Sequence, residues 1–308
     1  MKIVFMGTPD FAVPCLRKLV ESPHEVVAVF TQPDKPKGRG YKMIPTPVKS
    51  VAMEYDIPVY QPVSLRKGED AEKSLEILKN ISPDLIVVTA YGQILPKEIL
   101  ELPKYRCINI HASLLPAYRG SAPINWCLLN GEKITGITSM LMSEGLDTGD
   151  MLIKKSTEIG VNETYQELYT RLADMGGEVL AETITAIESG TLIPEKQDDS
   201  LSSHAPMIRK EMSFLDFSKS VQEIHNTIRG VTGFTTLGGK RLKIFKSEIV
   251  SGTSGAEDGT VVNTGDFTVK CGDGGLIKFN EIQLEGGKRL KTADFLRGRK
   301  LTTGEKLG

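Results

Sequence analysis

Asn109 and His111 stand two residues apart in the run Cys107-Ile108-Asn109-Ile110-His111. Alternation along a strand sends residues i and i+2 to the same face. An amide and an imidazole pointing the same way at the end of a strand can polarise a carbonyl oxygen and move a proton. The stretch that follows, Ser113 to Gly120, is interrupted by Pro116 and Gly120 and reads as a loop. A third group, Asp147, lies in Ser143-Glu144-Gly145-Leu146-Asp147-Thr148-Gly149-Asp150, where two glycines allow tight turns that would hold a carboxylate inward. Carboxylate, imidazole and carboxamide together supply a proton acceptor, a relay and a polariser. Spacing alone leaves two simpler readings open. Asn109 and His111 can be a satisfied polar pair, and Asp147 and Asp150 can be ordinary turn residues.

For the three groups to meet, a sheet must carry them. Open α/β sheets bind ligands outside the carboxyl ends of their strands. Lys2 to Gly7 is an apolar, β-branched strand, and Asp10 is expected to N-cap a helix from Phe11 to about Glu21. His24 to Thr31 is a second strand, so the opening is a βαβ unit and implies a parallel sheet. Helices are expected over Val48 to Tyr55 and Glu69 to Lys79, with a short strand from Ile57 to Tyr60 between them. Asp84 to Ala90 is a continuous apolar strand of the kind buried on both faces. Gly136 to Met142 and Met151 to Ile159 are strands on either side of the Asp147 loop. Thr164 to Ser189 is an amphipathic helix that Gly176 and Gly177 are expected to bend. The Gly7-Thr8-Pro9 turn is not G-x-G-x-x-G, so the dinucleotide fingerprint is missing.

The 308 residues, 40% hydrophobic and 25% charged, suit two globular domains rather than a disordered chain. The N-terminus lacks the apolar segment of a signal peptide, and no apolar run approaches the roughly 20 residues that span a bilayer. The expectation is a soluble, cytoplasmic protein without a membrane partner. Cys15, Cys107, Cys127 and Cys271 are scattered with no C-x-x-C pair, which argues against a disulfide framework and a zinc site. The four histidines are equally dispersed, and no metal is expected.

Charge is distributed unevenly. Residues 206–308 hold 17 Lys and Arg against 12 Asp and Glu, a net of +5, while the remainder carries −6. Such asymmetry can mark a basic module that meets a polyanion. Gln32 to Pro47 reads as a long loop without secondary structure, rich in Lys35, Lys37, Arg39 and Lys42. It is either a solvated surface loop or a basic arm that grips phosphates. Pro194 to His204 is polar and reads as a linker, and Ser218 to Arg229 as a helix. From Thr235 onward, short β-like runs (Arg241 to Phe245, Gly259 to Val262, Phe267 to Cys271, Leu276 to Leu284) alternate with glycine turns. They suggest a small antiparallel barrel or sandwich.

The stretch Cys107 to Pro123, the Gly145-Leu146-Asp147-Thr148-Gly149-Asp150 loop, the opening Gly7-Thr8-Pro9-Asp10-Phe11 and Gln32-Pro33-Asp34 resemble the methionyl-tRNA formyltransferase family. The Asn-x-His and Ser-Leu-Leu-Pro-x-x-x-Gly signature is shared by the wider class of 10-formyltetrahydrofolate-using formyltransferases. The resemblance implies a Rossmann-like α/β formyltransferase domain with a mostly parallel sheet over residues 1–190. It further implies a linker over 191–207 and an OB-like β-barrel that binds tRNA over 208–308. Asn109, His111 and Asp147 match the family's catalytic residues, and Ser113, Leu114, Leu115 and Pro116 its folate-binding stretch. Arg39 matches the arginine of its tRNA-contacting loop, with Lys37, Lys42 and Lys210 as further candidate tRNA contacts. The implied reaction moves the formyl group of 10-formyltetrahydrofolate to initiator methionyl-tRNA, with Asn109 and His111 stabilising the oxyanion and Asp147 orienting His111. The family implies a monomer. Two stretches depart from its pattern. Arg229-Gly230-Val231-Thr232-Gly233-Phe234 stands where an aromatic-proline turn is usual, and Met207 where a lysine is expected.

Overall fold

The computed structural model describes residues 1–37 and 42–308, which divide into two units. The first comprises Met1–Gly120, Gly136–Thr157 and Tyr169–His204, and the second Ser121–Thr135, Glu158–Leu168 and Ala205–Gly308.

The chain opens with β1 (Lys2–Gly7), α1 (Val13–Val20) and β2 (Glu25–Phe30). β3 (Lys35–Lys37), β4 (Lys42–Ile44), α2 (Pro47–Glu54) and β5 (Val59–Tyr60) follow. Next come α3 (Glu69–Ile81), β6 (Leu85–Thr89), α4 (Lys97–Leu100) and β7 (Cys107–His111). After α5 (Pro123–Leu129), β8 (Ile134–Leu141), β9 (Met151–Glu158) and α6 (Tyr165–Ser189) complete this part of the chain. The seven-stranded sheet has the order β5-β2-β1-β6-β7-β8-β9. β5, β2, β1, β6 and β7 run parallel, and β8 is antiparallel to β7. β1 and β6 are buried nearly throughout, so their continuous apolar runs face helices on both sides. The strand order turns back between β1 and β6, and β7 lies directly beside β6 with Asn109 opposite Val88.

Two local expectations are corrected. Asp10 does not cap α1: it begins a 3-10 turn, Asp10–Ala12, whose Pro9 cap position makes no side-chain hydrogen bond. Instead the Phe11 amide donates to Tyr169 Oη at 2.9 Å. Gly176 and Gly177 lie within one unbroken helix, and their role is close approach. A Cβ on Gly177 would sit 3.2 Å from Pro14 O, and one on Gly176 3.3 Å from Ile110 Cγ2. Bare backbone lets α6 lie against α1 and β7.

The 32–47 region is not free of regular structure, since β3 and β4 pair antiparallel with Lys37 opposite Lys42. Arg39 lies outside the described residues, as do the side chains of Lys37 and Lys42. The base of this hairpin is tied down. Lys49 Nζ donates to Asp34 Oδ2 at 2.6 Å and to Gln61 Oε1 at 2.7 Å, and Gln61 Nε2 donates to Asp34 Oδ1 at 2.7 Å. Thr46 caps α2 by accepting from the Lys49 amide.

The second unit contains α5, α7 (Val221–Val231), β10 (Gly233–Leu237), β11 (Lys240–Val250), β12 (Val261–Asn263) and β13 (Thr268–Lys270). β14 (Leu276–Leu284), β15 (Leu290–Lys291) and α8 (Thr292–Gly298) complete it. The antiparallel order is β10-β11-β14-β13-β12, with β15 on β14. The antiparallel sheet of this unit packs on a single core of Ile228, Leu242, Ile244, Phe267, Val269, Ile277 and Phe279. Gly238 and Gly239, both at positive φ, make the tight β10–β11 hairpin. Ser220 and Glu223 form a reciprocal capping box on α7.

The stretch that departs from the aromatic-proline pattern packs inside this unit. A Cβ on Gly230 would lie 3.3 Å from Leu129 Cγ, and Asn125 Nδ2 donates to Gly230 O at 2.8 Å, so the glycine brings α7 onto α5. Arg229 is buried and donates to Asn226 Oδ1 and Gly160 O. Met207 is exposed.

Candidate active site

β7 presents Asn109 and His111 on one face, as alternation requires. Among the described residues, the half-buried Asn109 carboxamide has no hydrogen-bond partner within the protein. His111 is buried, and Nε2 stands 3.0 Å from Tyr118 O. A carbonyl only accepts, so this nitrogen carries the hydrogen and Nδ1 faces Asp147 Oδ2 at 3.6 Å. That separation is an ion-pair distance and too long for a hydrogen bond. Asp147 Oδ2 accepts from the Gly120 amide at 2.8 Å. The three groups singled out in the sequence therefore occupy one place. His111 has Nε2 hydrogen-bonded to Tyr118 O and Nδ1 facing Asp147, whereas the Asn109 carboxamide is uncommitted among the described residues.

The Asp147 loop does not reach His111 by the shortest route. Leu141 of β8 lies opposite Ile108, near the beginning of β7, so the chain must run back to bring Asp147 beside His111. Glycine permits the turn: a Cβ on Gly149 would fall 1.7 Å from Leu141 O. Asp147 itself adopts φ 53°, a left-handed conformation that costs a non-glycine residue energy and is held by its surroundings.

Ser113 to Pro116 form a loop folded on itself. Ser113 Oγ donates to Ala117 O at 2.6 Å, and Leu115 packs with Met140 and Met151. Thr138 of β8 fastens it, since its hydroxyl donates to Ser113 O at 2.7 Å and accepts from the Leu115 amide at 3.1 Å. A Cβ on Gly136 would lie 2.1 Å from Lys155 O and 2.7 Å from Leu114 Cδ2, so the bare position lets Leu114 come down onto β8. Cys107, which begins β7, is no nucleophile: burial pushes its thiol up to about 12.

Sequence reasoning missed Gln197, Arg119 and Thr138. The polar run 194–204 is laid along the first unit, with Glu195 bridging Met151 and the Arg119 amide donating to Ser203 O. Gln197 Nε2 donates to Asp147 O at 2.8 Å and to Gly149 O at 2.7 Å, while Arg119 Nε donates to Gln197 Oε1 at 2.9 Å. No local pattern in the sequence marks a glutamine 50 residues from the aspartate it holds.

Lys210 is exposed in a 3-10 turn, Lys210–Ser213, of the second unit. Two arginines of that unit are already engaged. Arg241 stacks 3.8 Å over the Phe234 ring, and Arg289 pairs with Glu281 while lying over Phe245. No helix among the described residues is long and apolar enough to cross a membrane.

Residues 1–184 match the family model described as formyl transferase, and residues 207–300 its C-terminal domain. The chain is 52% identical over 314 residues to the methionyl-tRNA formyltransferase of Citrifermentans bemidjiense, an alignment covering 100% of this chain and 96% of that protein. It is 53% identical over 304 residues to the methionyl-tRNA formyltransferase of Clostridium novyi, covering 97% of each. Among solved structures, an N-formyltransferase from Helicobacter canadensis in complex with folinic acid and dTDP-3-aminofucose shares the fold. Its TM-score is 0.70 at 23% identity, covering 91% of this chain and 98% of that one.

Proposed function

The chain belongs to the formyl transferase family, and from that premise we propose that it transfers the formyl group of 10-formyltetrahydrofolate to the amino group of initiator methionyl-tRNA. The observation that carries the chemistry is the meeting of Asn109, His111 and Asp147 on β7 and the turn beside it. Full-length relatives at about half identity, named methionyl-tRNA formyltransferase, support the choice of acceptor.

The methionyl amine attacks the formyl carbon, a C–N bond forms, and the carbonyl oxygen becomes negative. Asn109, with its carboxamide uncommitted, donates to that oxygen. The bond to the folate nitrogen then breaks, and that nitrogen takes the proton the amine gives up. His111 Nδ1 and Asp147 stand side by side and relay this proton. The Tyr118 carbonyl holds the far side of the ring, so the proton enters and leaves at Nδ1. The Ser113 to Pro116 loop receives the folate. Lys37, Arg39, Lys42 and Lys210 meet the tRNA as phosphate contacts, which set affinity rather than sequence choice.

Acceptor competition tests the proposal. Protein and 10-formyltetrahydrofolate are mixed with aminoacylated initiator tRNA, glycinamide ribonucleotide, an amino sugar nucleotide, or no acceptor. Formyl-methionine on tRNA alone is the expected result. Transfer to a small acceptor would keep the site and overturn the partner, and folate product without an acceptor would make the chain a hydrolase.

A further inference from the structure

The Gln197 side chain joins the two loops that surround the His111 imidazole. The Asp147 turn supplies the carboxylate facing Nδ1, and the 113–120 loop supplies the carbonyl facing Nε2. Gln197 Nε2 donates to the carbonyls at both ends of that turn, Asp147 O and Gly149 O. Its Oε1 accepts from Arg119, the residue between Tyr118 and Gly120. Tyr118 O meets His111, and the Gly120 amide meets the Asp147 carboxylate. We infer that Gln197 is a positioning residue that sets the Asp147 carboxylate against His111 by clamping the Asp147 turn to the Arg119 loop.

The chemistry of the contacts fixes the orientation of the amide. Two carbonyls demand donors and one guanidinium demands an acceptor, and only the NH₂ group toward the turn with the oxygen toward Arg119 satisfies all three. No other uncharged side chain of this length supplies two donors and an acceptor on one rigid plane. The turn needs such a clamp because Asp147 holds a left-handed backbone conformation. Arg119 is held in turn by Asp199 at 2.7 Å, and its amide donates to Ser203 O. The polar run 194–204 thus holds the turn that carries Asp147.

This inference rests on the proposed roles of His111 and Asp147, and the test separates the two. Gln197→Met keeps the length and removes the hydrogen bonds. Gln197→Glu keeps the shape but turns a carboxylate oxygen toward two carbonyl oxygens. Each is made alone and in an Asp147→Asn background, and steady-state formylation is measured beside a thermal melt. A displacement of the order of 1 Å can cost about 10²-fold in rate, so kcat is expected to fall about 10- to 100-fold in both single variants. KM for folate and acceptor should stay within about twofold, and Gln197→Glu should lose at least as much as Gln197→Met. In the Asp147→Asn background, either change should cost less than about twofold more, because residues acting as a unit are not additive. Single variants within about twofold of wild-type kcat, or an undiminished loss in the Asp147→Asn background, would overturn the assignment. If one variant fails to fold, the other carries the cycle. Should the wild type formylate a small acceptor rather than tRNA, the acceptor reading fails and the same cycle on that acceptor still decides the role of Gln197. A wild type without any turnover overturns both.

Discussion

His111 Nδ1 and Asp147 Oδ2 lie 3.6 Å apart, and the same carboxylate oxygen accepts the Gly120 amide at 2.8 Å. The carboxylate is thus fixed by backbone and aimed at a ring whose other nitrogen is already engaged. A carboxamide at position 147 would keep the shape and lose the proton acceptor. Asp147→Asn is therefore expected to lower kcat by about 10²-fold or more, with KM little changed, as removal of a proton-transfer partner does. Rapid-quench formylation at saturating substrates would reveal it, and a variant near wild-type kcat would remove Asp147 from the mechanism.

The role proposed for Asn109 runs through a different interaction, so its loss should look different. Its carboxamide is half-buried and uncommitted among the described residues. Asn109→Ala should cost about 10²–10³ in kcat, the usual consequence of deleting one oxyanion donor. The unfolding midpoint should barely move, because no hydrogen bond within the protein is lost. A large drop in stability with only a small change in kcat would make Asn109 a structural residue.

Gly149 offers a steric test of the same turn. A Cβ there would overlap Leu141 O at 1.7 Å, and backbone cannot yield as a flexible side chain can. Gly149→Ala must shift the turn that carries Asp147, and a fall in kcat of at least about tenfold is expected. Gly145→Ala is the contrast. Its Cβ would meet the Thr148 hydroxyl at 2.2 Å, a group able to rotate away, so the loss should be smaller. Equal damage from the two would mean that the loop, rather than the placement of Asp147, is what matters.

Much of this was legible in the chain, for physical reasons. Period-two alternation fixed the shared face of Asn109 and His111, and long apolar runs marked β1 and β6 as central strands. The convergence of Asp147 was expected from its glycines, although the route of its loop, back along β7, depends on a register that no local pattern encodes. Gly176 and Gly177 looked like a bend because glycine weakens helices, whereas tertiary packing against Pro14 and Ile110 explains them. Asp10 looked like a cap because Asp often is one, but Pro9 and the Tyr169 hydroxyl determine how the chain enters α1. The run 194–204 looked like a linker because it is polar. Its function as a clamp lies in long-range hydrogen bonds, which composition does not report.

The cluster below the basic hairpin gives a stability test with a defined pH sign. Hydrogen bonding to Lys49, and secondarily to Gln61, holds the Asp34 carboxyl below the usual carboxylate range, and both partners are about four-fifths buried. Charge-assisted hydrogen bonds of this kind contribute about 1.5–3 kcal/mol, so Lys49→Met should destabilise the protein by about 2 kcal/mol at pH 7. A carboxyl whose folded pKa is depressed stabilises above its unfolded pKa of about 3.9 and loses that contribution as pH falls through the folded value. The difference between Lys49→Met and wild type in urea should therefore shrink below about pH 4. On formylation, the damage should appear in tRNA use with folate KM unchanged, since the cluster ties the ends of the segment bearing Arg39. A pH-independent difference would mean that the methylenes of Lys49, not its charge, stabilise the site.

His225 carries the opposite kind of titration in the second unit. Its ring is buried, Nε2 donates to Val161 O at 2.9 Å, and Nδ1 is therefore the acceptor for the Ser247 hydroxyl at 2.9 Å. Burial lowers its pKa below the ordinary histidine value, and the nearby Arg229 charge adds to the effect against the opposing pull of the Val161 carbonyl. The unfolded chain therefore takes up its proton first as pH falls below about 6.5, and stability declines from there until the folded ring also charges. Above that range, the contribution is complete. Urea midpoints measured from pH 8 to pH 5 should fall on the acid side for the wild type. His225→Gln, which cannot titrate, should lose part of that slope while being less stable at pH 8, where it gives up the paired contacts to Val161 and Ser247. An unaltered slope in His225→Gln would assign the acid sensitivity to other groups.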